Sequence, residues 1–122
     1  MDDPQRWAIL NLQSLADGIM ENSLPVIAER LLRPESEWWH SRQQQMIDRN
    51  RRSVAHLNQQ VGAWAEHLNI GTLSVVCVVD WLVFRADKLS LQPSEVAPQL
   101  CRWAEAMNRR YPCLSESYPR LA

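Results

Sequence analysis

The spacing of apolar residues along the first thirty positions predicts a long helix. From Trp7 to Met20 they recur at steps of three, four and five residues, which is typical of a helix that packs against more than one neighbour. The stretch Asp2-Asp3-Pro4 suits the start of this helix, with an acidic N-cap followed by Pro in the first turn. Pro25 predicts a kink, after which the helix resumes to about Leu31.

A second long helix is predicted from Pro34 to about Leu68. Pro34-Glu35-Ser36-Glu37 places Pro and acidic residues in its first turn. Its apolar positions then follow at steps of 7, 8, 3, 4, 3 and 4 residues, a helical stripe that consists of Trp39, Met46, Val54, Leu57, Val61, Trp64 and Leu68.

The segment from Leu73 to Phe84 is apolar on nearly every face. Periodicity alone also allows a buried strand, because Val and Trp favour strands. The rest of the chain supplies no partner strands, and a lone strand cannot satisfy its backbone hydrogen bonds. A central buried helix is therefore predicted, with Asn69 as its N-cap and Thr72 at the position that a capping box requires.

The C-terminal third predicts a loop and a fourth helix. Pro93 and Pro98 mark the loop, the helix extends from Gln99 to Arg109, and Pro112 limits it. A short last turn near residues 114–117 follows. The predicted fold class is all-α, a bundle of about five helices in one domain that spans residues 1–122.

Composition narrows the possible functions. With 122 residues, 46% of them hydrophobic, and a net charge of -1, the chain is too apolar and too nearly neutral for intrinsic disorder. A pI near 6.3 argues against general nucleic-acid affinity, and no apolar run approaches the roughly 20 residues of a membrane span. The N-terminus lacks the pattern of a signal peptide, and an odd number of cysteines suits reduced thiols. We therefore expect a cytoplasmic protein that binds neither nucleic acid nor membrane.

Four stretches, spread from Asp3 to Pro119, carry a family likeness. They are Asp3-Pro4-Gln5-Arg6-Trp7 with Leu15-Ala16-Asp17-Gly18-Ile19-Met20; Arg33-Pro34-Glu35 with Trp39 and Ile47-Asp48-Arg49; Cys77 with Trp81-Leu82-Val83-Phe84-Arg85; and Trp103-Ala104-Glu105-Ala106-Met107 with Arg110-Tyr111-Pro112. In this order and spacing they resemble the all-helical C-terminal domain of the cytosolic glutathione transferases of the bacterial type.

The resemblance implies that this chain lacks the domain that carries out catalysis in the family. Family members also carry an N-terminal thioredoxin-like domain, which binds glutathione and activates its thiol, and no part of this sequence matches that domain. We therefore expect a helical module that is non-catalytic alone and supplies a dimer interface and a hydrophobic-ligand pocket. It would need no cofactor, and glutathione only if a thioredoxin-like domain is supplied. Its expected partner is a second copy or such a domain.

Two alternatives stay open at this point. The chain is half of an active glutathione transferase whose thiol-activating domain is missing from it, or it is an adaptor module in a protein complex. Its status as an enzyme is therefore undecided by the sequence, although the family is one of transferases.

The resemblance also implies candidate ligand-binding residues on the first two helices. In some relatives an acidic residue on the first helix reaches the glutathione of the partner subunit, a role that would fall to Asp17. Trp7, Met20 and Trp39 are candidates for the wall of a hydrophobic-substrate pocket. The competing interpretation is that the carboxylate of Asp17 bonds to neighbouring backbone or to an Arg. The three apolar side chains would then serve core and interface packing. No residue is predicted to be catalytic.

Two departures from the family pattern involve the central helix. Its usual Ser/Thr-x-x-Asp capping box is replaced by Asn69-x-x-Thr72. Asp80 stands where relatives have a small residue, and a carboxylate buried there needs a partner. Arg85 and Arg102 are the two candidates that the sequence offers.

Cysteine and histidine spacing gives no sign of a metal or redox site. The three cysteines form no CxxC pair and the three histidines no HExxH motif. Cys77, on the apolar helix, is expected to be inert, and Cys113 is the thiol that we most expect to be exposed. Arg42, Arg49 and Arg52 fall near one face of the second helix, where a solvated surface explains them better than nucleic-acid binding.

Overall fold

The computed structural model describes residues 4–64 and 66–116, and all regular structure within these ranges is helical. The α-helices are α1 (Pro4–Leu32), α2 (His40–Gln60), α3 (Ile70–Phe84), α4 (Ala86–Leu89), α5 (Pro93–Val96), α6 (Pro98–Arg110) and α7 (Pro112–Glu116). The all-α class is confirmed. The described ranges contain two more helices than predicted, because the single turn α5 lies in the predicted loop and α4 in a segment to which no element was assigned.

Helix α1 runs for 29 residues and passes through Pro25 without interruption, as its predicted resumption requires. Two side chains just before the proline bond back to the helix. Asn22 donates to the carbonyl oxygen of Gly18 at 3.0 Å, and the hydroxyl of Ser23 donates to that of Ile19 at 2.6 Å. Such bonds give these polar side chains partners within the helix, in the turn that precedes the proline. The predicted acidic cap at Asp2 and Asp3 lies outside the described residues.

The predicted bounds of the second helix were wrong at both ends. Pro34 has an extended backbone, and a 3₁₀ turn at Glu35–Glu37 precedes another extended residue, Trp38. The amide of Trp39 then donates to the Glu29 carboxylate at 2.9 Å, so that α2 begins only at His40. At the other end α2 stops at Gln60 and tightens into a second 3₁₀ turn, Val61–Ala63. A contact with α1 therefore overrides the local helix signals at the N-terminal end.

The central helix α3 is confirmed, together with its predicted cap. Asn69 Oδ1 accepts from the amide of Thr72 at 2.9 Å, and Thr72 Oγ1 accepts from the amide of Asn69 at 2.9 Å. Thr72 therefore takes the capping-box position at which the family resemblance implies an Asp. Most of α3 is buried, and α1, α4, α5 and α6 pack against it. The largest fully buried apolar side chains are Ile19, Val26, Val54, Leu57, Val75, Val76, Leu82, Leu89, Leu100 and Met107.

One arginine connects α1, α2 and the turn after α4. Arg30 donates from Nε to Gln43 Oε1 at 2.9 Å, and from one terminal nitrogen to the Lys88 carbonyl at 2.7 Å and the Ser90 hydroxyl at 2.8 Å. Ser90 has a φ of 52°, a left-handed conformation that ends α4. A guanidinium suits this position because its donors point in fixed directions toward several acceptors.

None of the described helices has both the length and the hydropathy that crossing a lipid bilayer requires.

Candidate functional site

A cavity of about 450 Å³ lies between α1, α3 and α7, and we call it the α1–α3 cavity. Most of its wall is apolar, and its only charged side chains among the described residues are two carboxylates. The lining residues are Ala16, Asp17, Met20, Leu73, Ser74, Val76, Cys77, Val78, Asp80, Trp81 and Leu114. The volume falls within the range of roughly 300–1,000 Å³ that is usual for small-molecule sites.

Asp80 is the buried carboxylate of this cavity, with only 8% of its surface exposed. Its partner is Asn108 on α6, whose Nδ2 lies 3.3 Å from Oδ1 and 3.2 Å from Oδ2 of Asp80. Burial raises the pKa of Asp80 above its ordinary value, and the hydrogen bond from Asn108 opposes this shift in part. The carboxylate is thus largely buried, and its partner is neutral.

Neither arginine that the sequence offered is the partner of Asp80. The guanidinium of Arg85 lies over the ring of Phe84, 4.8 Å from its centroid, and Arg102 is exposed on α6. Asn108 follows the buried residue Met107 and lies one turn after buried Ala104, to whose carbonyl it also donates at 3.0 Å. Its position beside the apolar stripe of α6 is the sequence signal that could have identified it.

Two thiols near Asp80 are poorly suited to nucleophilic chemistry. Cys77, which lines the cavity, is exposed in part, but covering by its neighbours raises the pKa of its thiol, and the charge of Asp80 adds to this. Burial likewise raises the pKa of Cys101, together with the charges of Glu105 and Asp80. Because the thiolate is the reactive form, both groups favour the unreactive thiol, as was expected for Cys77. Cys113 is exposed, as predicted.

The structure brings together two of the four predicted ligand-binding residues. Asp17 and Met20 both line the α1–α3 cavity. Trp7 and Trp39 do not: their side chains are 59% and 60% exposed, and Trp39 lies at the start of α2, beside Arg42. Sequence reasoning did not include Asp80, Trp81 and Leu114 among the pocket residues, since only packing of α3 and α7 against α1 reveals them.

A larger groove, of about 850 Å³, lies between the first half of α1 and the end of α2. Its wall includes several neutral polar side chains, among them Asn11, Gln59 and Asn69, and two histidines, His56 and His67. A contact of 3.0 Å joins the side-chain nitrogens of His56 and Gln60. In the part of the chain that the structure describes, no group of three or more His, Cys, Asp or Glu residues is placed to hold a metal ion.

Comparisons with known proteins find relatives among solved structures. No family model and no curated protein matches the chain. Two crystal structures of a glutathione transferase family member from Pseudomonas fluorescens Pf-5 match it, one with bound S-(propanoic acid)-glutathione and one with bound glutathione. Both have a TM-score of 0.87 and 32% identity over 98% of this chain. The match spans 60% and 58% of those chains, so this chain covers about three fifths of their length.

Proposed function

The chain has the fold of the C-terminal helical domain of the glutathione transferase family. We propose that it is the non-catalytic half of a transferase-type protein. In this proposal it supplies a pocket for a hydrophobic ligand, while a thioredoxin-like domain on a partner or another segment binds glutathione. The observation that carries the proposal is the α1–α3 cavity, whose wall contains Asp17 and Met20 of α1.

The shape of the cavity supports the ligand-binding part of this proposal. Met20, Leu73 and Trp81 give it an apolar wall, and its two acidic residues, Asp17 and Asp80, supply polar contacts. A small number of polar groups in an apolar concave surface is the usual composition of small-molecule sites. Glutathione in one matched structure and S-(propanoic acid)-glutathione in the other support a glutathione-dependent context for the complete assembly.

The expectation that the chain alone is non-catalytic rests on the family resemblance, in which the thioredoxin-like domain activates the glutathione thiol, and the thiols of this chain offer no substitute. Cys77, which lines the cavity, and Cys101 on α6 have raised pKa values, and neither has a basic neighbour among the causes of the shift. Activation of glutathione requires stabilisation of a thiolate, which these groups do not offer. The activating residue is therefore expected on the partner domain.

Exposed apolar side chains support association with a partner, either a second copy or a thioredoxin-like domain. Trp7 and Leu10 lie one turn apart on α1 and expose 59% and 36% of their surface. Leu68 and Ile70, which flank the cap of α3, expose 40% and 50%. Large apolar groups in one region are typical of surfaces that become covered on association. Homodimerisation is the simplest form of this proposal.

The pocket can be tested with phenylbutanol, a neutral aryl alcohol, by isothermal titration calorimetry on the full chain. Met20→Ala removes part of the cavity wall and should weaken binding about threefold to tenfold. The matched control is Trp7→Ala, which removes a larger apolar group outside the cavity and should leave binding unchanged. Weaker binding in the control, with Met20→Ala unaffected, would place the ligand elsewhere and contradict the proposal.

Two further measurements test the remaining parts. Conjugation of glutathione to a general electrophile should proceed at the buffer rate in the presence of this chain alone, and clear turnover would refute its non-catalytic character.

Light scattering after size exclusion at micromolar concentration should show a dimer. A clean monomer would exclude homodimerisation and leave the ligand pocket unaffected.

A further inference from the structure

The α1–α3 cavity is lined by negative charges, and no positively charged side chain among its described lining residues neutralises them. Asp17 and Asp80 are its charged lining residues, on α1 and α3, and no Lys, Arg or His lines it in the described ranges. A concave, low-dielectric surface lined by one sign of charge concentrates ligands of the opposite charge. The cavity is thus electrostatically biased toward cations.

Asp80 also has unused capacity to accept hydrogen bonds. An ionised carboxylate offers about four lone-pair positions on its two oxygens. In the described part of the chain its side-chain partner is the single amide of Asn108, which reaches both oxygens at 3.2 and 3.3 Å, near the long end for N–H···O bonds. A donor that enters from the cavity would therefore find acceptor positions available, and a cationic donor would offset the burial of the charge.

The rest of the wall suits the other parts of an organic cation. Trp81 lines the cavity one position after Asp80, and indole faces attract cations more strongly than other aromatic rings. Met20 and Leu73 offer apolar surface to a hydrocarbon body, and Met adapts to irregular shapes. Carboxylate, indole and apolar surface within about 450 Å³ together match a small molecule with one positive charge.

We infer that the α1–α3 cavity selects small organic cations, with a protonated amine on Asp80 and an apolar body against Met20 and Trp81. This inference rests on the proposed function, because it specifies the ligand class of the same pocket. The exposed carboxylate of Asp17 adds to the attraction from the rim. Ionisable neighbours around Asp80 are Cys77 on its own helix and Cys101 on α6, with Glu105 near the latter, and none of them is cationic.

The test compares three ligands of one shape on the full chain by calorimetry near neutral pH. Phenylbutylamine is cationic, phenylbutanol is neutral and phenylbutyrate is anionic. The amine should bind about tenfold more tightly than the alcohol, as one charge-assisted hydrogen bond typically provides, and the anion should bind most weakly. A tryptophan fluorescence titration should give the same order of affinities.

Variants then assign the preference to one residue. Asp80→Asn keeps the shape and removes the charge, so the amine and the alcohol should bind within about twofold of each other. Asp87→Asn, on the exposed side of α4, makes the same change of net charge outside the cavity and should retain the preference. Circular dichroism of each variant establishes that it is folded, and the comparison of ligands on the unmodified chain needs no variant.

The outcomes separate this inference from the proposed function. Alcohol binding equal to or tighter than amine binding would overturn the cation preference and leave the hydrophobic pocket standing. A preference that survives Asp80→Asn would overturn the assignment to Asp80. Absence of binding by all three ligands at millimolar concentration would overturn the pocket itself, and with it this inference.

Discussion

A methyl group placed on Gly71 would lie 2.6 Å from the carbonyl oxygen of Ile9. The same methyl would lie 3.1 Å from the Cβ atom of Leu12, so α1 and the first turn of α3 approach each other as closely as a glycine allows. This approach determines how closely α3 packs on α1 beside the larger groove, whose wall includes Ile9 and Leu12. Because the φ of Gly71 is not positive, backbone conformation does not require a glycine here. The lack of space for a side chain does.

We therefore predict that Gly71→Ala destabilises the fold by about 1–3 kcal/mol, since the backbone of α1 must move to admit the methyl group. The control is Gly18→Ala, because no atom lies within 4 Å of a methyl group there. Alanine is the better helix former, so this control should stabilise the fold by about 0.5–1 kcal/mol. Urea unfolding followed by circular dichroism measures both, and effects of the same sign would contradict the packing argument.

The cap of α3 leads to a second prediction. Asn69→Ala removes the acceptor for the Thr72 amide and should cost about 1 kcal/mol of unfolding free energy. Asn69→Ser retains a capping oxygen and should cost less than half as much. Ser74→Ala removes a hydroxyl that, within the described ranges, bonds to the Ile70 carbonyl of the same helix, and it should change stability by less than about 0.5 kcal/mol. A loss at Ser74 as large as that at Asn69 would show that the cap has no special weight.

Arg30 leads to a third prediction, about the junction of α1, α2 and α4. Arg30→Lys keeps the charge but cannot reach Gln43, Lys88 and Ser90 at once, so we expect a loss of about 1–2 kcal/mol. The matched control is Arg49→Lys on the exposed face of α2, which should change stability by less than about 0.5 kcal/mol. Equal effects in denaturant unfolding would mean that the three bonds of Arg30 contribute nothing beyond its charge.

Asp80 leads to a fourth prediction, about pH. Because burial raises the pKa of Asp80 in the folded state above 3.8, the folded chain holds this proton more tightly than the unfolded chain. Its contribution to stability is then fully present below the unfolded pKa and is lost as the pH rises through the folded pKa. Asp80→Asn cannot ionise, so its stability relative to the unmodified chain should increase from about pH 4 toward neutral pH.

Urea unfolding of both proteins across this pH range measures the difference, and Asp87→Asn accounts for the change in net charge. A difference that stays constant with pH would mean that burial does not disfavour the ionised form of Asp80. A difference that shrinks with rising pH would mean that a cationic partner stabilises the charge within the fold.

Much of this protein's architecture depends on residues that are close in the sequence, and the sequence by itself determined that part. The course of α1, the identity of α3 as a central helix and the cap at Asn69 all follow from spacing and capping chemistry within a few residues. The resemblance to the helical domain of glutathione transferases depends on the same short stretches. Two candidate ligand residues, Asp17 and Met20, followed from it as well, because both lie on one predicted helix.

Only the tertiary structure decided the features that depend on two helices at once. The start of α2 at His40 depends on the carboxylate of Glu29 in α1, which holds the amide of Trp39. Asn108 became the partner of Asp80 because α6 presents that side chain, and not Arg102, toward α3. Trp39, which precedes the first residue of α2, is exposed and does not line the α1–α3 cavity. Periodicity specifies which face of a helix is apolar, whereas the packing of helices across the core specifies which polar side chains meet.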